Sequence, residues 1–196
     1  DVEGTHSLTP VDVDGDGDLD LIAGNNGQNG QVNRLHLGDG SGGFSSGASI
    51  GSDAHKTHSL SLADVDGDGD LDLLAGNSNQ VNRLYLSDGS GGFLSGVNIS
   101  SEGHDTASMS LGDVDRDGDI DLLVGNVGQS NRLYLGDGLG GFLSGTAIGP
   151  NDDKTRSTGL ADVDGDGDLD LLVVSSNSSQ PNRLYLGNGS GGFSSG

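Results

Sequence analysis

The chain has 196 residues, a formal net charge of -22, no cysteine and 4% aromatic residues. Its charge excludes a nucleic-acid partner, which needs a basic stripe to replace phosphate counterions and aromatics on which bases stack. It also lacks thiols for disulfides or thiolate metal sites. No apolar run approaches the roughly 18 residues of a membrane span, the longest being LLVV at residues 171–174. The expectation is a soluble chain without membrane insertion, with no signal peptide before Asp1, whether as a mature form or as an excised piece.

The acidity is local. DVDGDGDLD stands at residues 12–20, 64–72 and 162–170, and DVDRDGDID at 113–121. These runs hold twenty of the thirty acids, leaving ten against eight Lys and Arg. Their first Asp falls at 12, 64, 113 and 162, in steps of 52, 49 and 49 residues. That period is in the range of propeller blades, so the repeat and not the length sets the architecture.

Within each repeat the elements follow one order, clearest in the second. HSLSLADV (58–65) alternates, placing Leu60 and Leu62 on one face of a half-buried strand. After the acidic run, DLLAG (72–76) suits a buried second strand, and NRLYL (82–86) alternates again through Leu84 and Leu86. SDGSGG (87–92) is turn chemistry, and the segment after GGF supplies a fourth strand. The 38 glycines, with sparse Ala, Glu and Lys, disfavour helices.

The expected fold is all-β, a β-propeller of four-stranded antiparallel blades with four blades per chain. One domain or propeller segment would cover 1–196, with blades at approximately 5–52, 53–101, 102–150 and 151–196. From the Asn of NRL to the Phe of GGF the spacing is 11 in every repeat, whereas the last Asp of the run to that Asn spans 13, 10, 10 and 12. Length variation is thus confined to the loop between the second and third strands. The acidic loop keeps its size because its geometry matters.

Five carboxylates in nine residues repel one another unless a cation lies between them. Counting from the first Asp, positions 1, 3, 5 and 9 of the first run are Asp12, Asp14, Asp16 and Asp20, with Gly17 at the turn. Oxygen-only donors on a glycyl loop suit Ca²⁺, which takes six to eight oxygens at about 2.3–2.6 Å, better than octahedral Mg²⁺. Zn²⁺ prefers nitrogen and sulfur, and no His recurs beside the runs. An EF-hand closes with Glu at position 12, where this chain has Ala23, Ala75, Val124 and Val173, so position 9 must close the site.

With D-x-D-x-D-G-x-x-D loops followed by D-L-L-x-G-N and N-R-L-Y-L, nearly the whole chain resembles FG-GAP/VCBS repeats, the blades of integrin alpha-chain-like propellers. SLAD (61–64) and its equivalents stand in place of the Phe-Gly and Gly-Ala-Pro elements, favouring the VCBS-like branch. The resemblance implies one Ca²⁺ per blade, about four per chain, held in the loop between the first two strands. Its side-chain ligands would be Asp12, Asp14, Asp16 and Asp20; Asp64, Asp66, Asp68 and Asp72; Asp113, Asp115, Asp117 and Asp121; and Asp162, Asp164, Asp166 and Asp170. The position-7 carbonyls would come from Asp18, Asp70, Asp119 and Asp168.

Other recurring residues have plainer roles. Arg34, Arg83, Arg132 and Arg183 are expected to bond an adjoining blade rather than to ring an anionic ligand, and His36, Tyr85, Tyr134 and Tyr185 to pack their strand rather than stack on sugar. GDGSGGF (38–44) lacks the Gly-Lys-Ser/Thr ending of a P-loop. Glu3, His6, His55, His58, Glu102, His104 and Asp105 lie between repeats and are expected to be surface residues rather than an acid-base pair.

The functional expectation is an extracellular or cell-surface adhesion, recognition or scaffold module, not an enzyme, with a protein or glycan partner. The alternatives are a lectin-like propeller and an accessory domain of a polysaccharide lyase or dehydratase. Four blades could close alone, or, since unpaired terminal blades would leave edges exposed, two chains could pair as a homodimer forming an eight-bladed ring; the sequence favours assembly only slightly.

Overall fold

The computed structural model describes residues 4–27, 30–150, 154–176 and 180–195. Among them are fourteen β-strands and no helix. The first sheet is β1 (Thr5–Val11), β2 (Asp20–Asn25), β3 (Arg34–His36) and β4 (Ala48–Ser49), each strand antiparallel to the next in chain order.

A second sheet contains β5 (Thr57–Ala63), β6 (Asp72–Tyr85), β7 (Val97–Gly112), β8 (Asp121–Asn126), β9 (Asn131–Tyr134) and β10 (Thr146–Ile148), in the order β10-β9-β8-β7-β6-β5. The last repeats the first pattern with β11 (Thr155–Ala161), β12 (Asp170–Ser175), β13 (Arg183–Gly187) and β14 (Phe193–Ser195).

The all-β, antiparallel expectation holds, but the described strands form sheets of four, six and four rather than four sheets of four. The difference lies in two long strands. β6 runs for 14 residues through both the second and third expected strands of its repeat, and β7 runs for 16 through the end of one repeat and the start of the next. Only residues 78–81 separate the two halves of β6; the bond from Ser78 N to Lys56 O at 2.9 Å recurs as Asn26 N to Gly4 O, Val127 N to Asp105 O and Ser176 N to Lys154 O in repeats whose second strand ends there.

Pairing register repeats without drift. Val11 faces Asp20, Ala63 faces Asp72, Gly112 faces Asp121 and Ala161 faces Asp170. Each first strand has a bulge two residues after its Thr, at Thr5/Ser7, Thr57/Ser59, Thr106/Ser108 and Thr155/Ser157. A register slip of one residue would turn every apolar side chain to the wrong face, so this pairing fixes both the core and the start of every acidic loop.

The chain divides into two compact units, residues 1–64 with 68–103, and residues 65–67 with 104–196. In the first unit Ile22, Leu35 and Ile50 of one repeat meet Leu73, Ala75 and Tyr85 of the next. In the second, Val114, Leu123, Leu133 and Ile148 meet Leu171, Val173 and Tyr185. Each core is built from the facing sides of two successive repeats.

Polar side chains close the strand ends. Asn77 N donates to Asn82 Oδ1 at 2.8 Å, while Asn77 Nδ2 donates to Val81 O at 2.8 Å and Thr57 Oγ1 donates to Asn77 Oδ1 at 3.0 Å. Asn25 with Asn33 and Asn126 with Asn131 repeat the arrangement. The Asn of GN and the Asn of NRL are thus partners, satisfying buried amides where the second and third strands turn away from each other.

Candidate metal centres

Each acidic run is a loop between two paired strands, and its last Asp opens the second of them. Asp20 is buried, its Oδ2 accepting from Val13 N and its Oδ1 from Gly38 N, both at 2.8 Å. Asp121 takes the same bonds from Val114 N and Gly136 N at 2.8 Å, and Asp170 from Val163 N and Gly187 N at 2.8 and 2.9 Å. Asp72 Oδ1 accepts from Ser87 N at 2.8 Å. Position 9 therefore pins its loop to the next hairpin as well as facing the loop interior.

Positions 1, 3 and 9 come together. In Asp12, Asp14 and Asp20; Asp64, Asp66 and Asp72; Asp113, Asp115 and Asp121; and Asp162, Asp164 and Asp170, carboxylate oxygens lie within 4.8 Å of one another. The backbone is wrapped around them by local bonds. Gly17 N donates to Asp12 Oδ2 at 3.0 Å, and the equivalents from Gly69, Gly118 and Gly167 run at 3.0, 3.1 and 3.0 Å. The glycine at this place is required by conformation, with φ between 90° and 97° in all four loops, a region costly for other residues.

Positions 5 and 7 stand outside these clusters. Asp16 Oδ1 accepts from Asp18 N at 2.8 Å, and Asp68, Asp117 and Asp166 accept from Asp70, Asp119 and Asp168 N at 2.9, 2.9 and 2.8 Å. The position-7 side chains lean instead on the hairpin turn of their own repeat. A Cβ on Gly40, Gly138 or Gly189 would lie 2.5, 2.5 or 2.4 Å from an oxygen of Asp18, Asp119 or Asp168, so the turn glycine makes room for that carboxylate.

Crowding marks the electrostatics. Burial first, then neighbouring Asp charges, raise the carboxyl of Asp14 above its ordinary value despite an opposing backbone bond from Asp16. Asp115 and Asp121 are raised with burial as the leading cause, offset in part by backbone N–H donors. Asp113 Oδ1 is buried with no hydrogen-bond partner. A buried, unpartnered carboxylate oxygen within a triad of carboxylates fits a hard divalent cation, and the all-oxygen donor set fits Ca²⁺.

A set of acceptors not singled out from sequence shapes the adjoining turn. Asp39 Oδ1 accepts from Ser41 N and Gly43 N at 2.9 and 2.8 Å, Asp88 from Ser90 N and Gly92 N at 2.9 and 3.0 Å, and Asp137 from Leu139 N and Gly141 N at 2.9 Å. Asn188 does the same to Ser190 N and Gly192 N at 3.0 Å, so the turn needs an oxygen acceptor rather than a charge. The bond from Ser41 N, then that from Gly43 N, holds Asp39 below the usual carboxylate range; bonds from the Ser90 side chain and backbone do so for Asp88. The signal was available as Asp or Asn before Gly at a fixed place in every repeat.

The recurring arginines are tied to neighbouring strands and linkers. Arg34 Nη1 donates to Ser49 Oγ at 2.8 Å, Arg132 Nη1 to Gly145 O at 3.3 Å, and Arg83 pairs with Asp53 at 2.7 Å and bonds Asn98 and Gly96 O. Of the residues between repeats, His6 and His58 stack with ring centroids 4.6 Å apart, and His58 Nε2 lies 2.6 Å from Asn26 Nδ2. Glu3 lies outside the described residues.

No curated protein matches the sequence. Solved structures do match in fold. An Agrocybe aegerita lectin, described as recognising non-reducing terminal N-acetylglucosamine, aligns at TM-score 0.68 and 20% identity over 98% of this chain and 52% of that one. BBS1N, solved in complex with ARL6DN, aligns at 0.61 and 13% over 98% and 54%. A putative exo-beta-1,3-galactanase from Bifidobacterium bifidum s17 aligns at 0.59 and 10% over 96% and 70%.

The chain spans about half the length of the first two. At these identities the likeness is one of fold, a propeller-like array of antiparallel sheets. A model of the FG-GAP-like repeat matches residues 12–75, 64–124 and 113–173, windows that each begin on the first Asp of an acidic loop and end within the second strand of the next repeat. Repeat length, loop and strand order agree over most of the sequence, and the chain belongs to the FG-GAP-like repeat family.

Proposed function

We propose that the chain is a calcium-stabilised propeller module of four four-stranded blades, binding one Ca²⁺ in each acidic loop and presenting its remaining loops to a protein or glycan outside the cell. The observation that carries this reading is the fourfold recurrence of three converging carboxylates in loops of one size. In blade terms, β6 supplies the second and third strands of the second blade, and β7 supplies the fourth strand of that blade and the first of the third.

The residues divide the work. Asp12 and Asp14, with their equivalents, would supply exposed or half-exposed carboxylates from the loop itself. Asp20 and its equivalents would close the site from the strand while anchoring the loop to the hairpin through their backbone bonds. Bound Ca²⁺ would supply the positive charge that lets these carboxylates remain ionised side by side. The structure-bearing role of the acids favours a binding module over an enzyme. Glycan is the ligand class to test first, with protein adhesion as the other arm.

Calorimetric titration of chelator-stripped protein tests the metal reading, with about four Ca²⁺ per chain expected. Asp12→Ala/Asp14→Ala is expected to lose one site, and unchanged stoichiometry would refute the assignment. Asp20 is the wrong residue to remove, because its loss frees two backbone donors along with a ligand. A glycan array and turnover assays on uronic-acid polymers separate the recognition and enzyme readings.

A further inference from the structure

The two cores show what each face of a repeat packs against. One face carries Ile22 and Leu35 in the first repeat and Leu123 and Leu133 in the third, all buried against the repeat that follows. Their equivalents in the fourth repeat are Leu172 and Leu184, which are 40% and 36% exposed. Val163, equivalent to the buried Val114, is 46% exposed beside them.

The opposite face is equally distinctive. Thr57, Thr106 and Thr155 are buried, whereas Thr5 is exposed. Leu60 and Phe93 pack on the core of the first unit, whereas their first-repeat equivalents Leu8 and Phe44 are 58% and 53% exposed. A Cβ on Gly91 would meet Asp14 Cβ at 2.5 Å, and one on Gly191 would meet Leu135 at 3.3 Å, but around Gly42, with φ of 91°, nothing lies within 4 Å.

Backbone groups tell the same story. Gly191 N donates to Val114 O and Gly140 N to Val65 O, both at 3.3 Å, so the hairpin turn of one repeat seats on the acidic loop of the preceding one. The fourth acidic loop, with Asp162 and Asp164 both exposed, is the one whose cover would be a turn such as that at Gly42.

We infer that the exposed face of the β11–β14 sheet is a docking surface for a second copy of this chain, whose β1–β4 sheet seats on it as each repeat seats on the one before. The occupant follows from equivalence: the face that covers Leu123 and Leu133 internally carries Leu160, Val173 and Phe193, and the first sheet offers that same face uncovered. In the docked pair, the turn at Gly42 of one copy covers the loop at Val163 of the other. Leu8 and Phe44 fill the space opposite Leu172 and Leu184. Val174 stands where Gly24 and Gly125 receive a threonine methyl, so the Thr5 end of the incoming sheet sits further out than its internal counterparts.

Such an interface is head-to-tail, pairing two different patches, and the test uses that asymmetry. Sedimentation or light scattering of the whole chain in calcium over a concentration series is expected to show particles of at least two chains. A constant mass of 19.6 kDa overturns the proposal and leaves the face to another occupant, such as further repeats. Leu8→Asp and Leu184→Asp each spoil one patch at an exposed position and are expected to weaken association at least tenfold.

Mixing the two variants leaves one intact tail and one intact head, and should restore a two-chain particle. Wild-type association in either variant alone, or no rescue on mixing, overturns the assignment. Circular dichroism checks that each variant keeps its sheets, and Leu172→Asp replaces Leu184→Asp if the latter does not.

Discussion

Tyr85 shows how one side chain reports its surroundings. Its ring is buried in the first core, and its hydroxyl donates to Asp53 Oδ2 at 3.3 Å beside the Arg83–Asp53 pair. Burial, followed by the Asp53 charge, pushes the phenol up to about 12. An unfolded tyrosine ionises near pH 10. The folded group binds its proton more tightly, so its contribution to stability is complete below about pH 10 and is lost as pH climbs through about 12. Absorbance titration of the phenolate is expected to show Tyr85 ionising late, with a midpoint that falls in Asp53→Asn, where the neighbouring negative charge is gone. Of this site, sequence reading placed Tyr85 in a packed strand; the Asp53 contact, made across 32 residues, carried no local pattern.

At the scale of the loop, one repeat breaks the pattern. Arg116 occupies the fourth position of the third run, where the other three have Gly, and it adopts a φ of 65°. That conformation costs a non-glycine residue about 1–2 kcal/mol. Its guanidinium reaches Asp168 Oδ1 at 2.6 Å as an ion pair, linking the third acidic loop to the fourth within one compact unit. Because Arg116 is half-exposed, the pair returns about 0.2–1 kcal/mol. Arg116→Gly is therefore expected to be neutral to stabilising by about 1 kcal/mol in thermal unfolding, with the gain growing at high salt as the ion pair is screened. A clear loss of stability at every salt concentration would mean the cross-loop pair outweighs the backbone strain.

The hairpin turns belong to this scale too. The turn acceptor, Asp39 or its equivalents, the turn glycine and the position-7 carboxylate interlock, which explains the invariant spacing of 11 residues between Asn and Phe. Repeat lengths differ instead in the loop between the second and third strands.

For the whole molecule, the proposed calcium sites would set carboxylate repulsion against metal binding. Each acidic loop concentrates carboxylates that burial and mutual charge already raise in Asp14, Asp115 and Asp121. Calcium at 100 times its dissociation constant would stabilise the folded chain by about 2.7 kcal/mol per independent site. Four such sites would rival the total stability of an ordinary domain, about 5–15 kcal/mol. Chelation is thus expected to lower the melting temperature by well over 10 °C, reversed by calcium; a chelator-insensitive transition would mean the apolar cores alone carry the fold.

The repeat, the all-β character, the turns and the candidate ligands were legible in the sequence because each is a local property: alternation of period two, glycine where φ must be positive, acids at fixed spacing. Local pattern does not specify how far a strand continues or which carboxylates converge. β6 continues through residues 78–81, where a turn was expected, and Asp16 engages the backbone of Asp18 while Asp14 and Asp20 converge with Asp12. Likewise, Leu172 and Leu123 read identically in their repeats, and only the packing of neighbouring sheets makes one a core residue and leaves the other exposed. Register, convergence and exposure depend on groups distant in sequence, so the tertiary structure alone decided them.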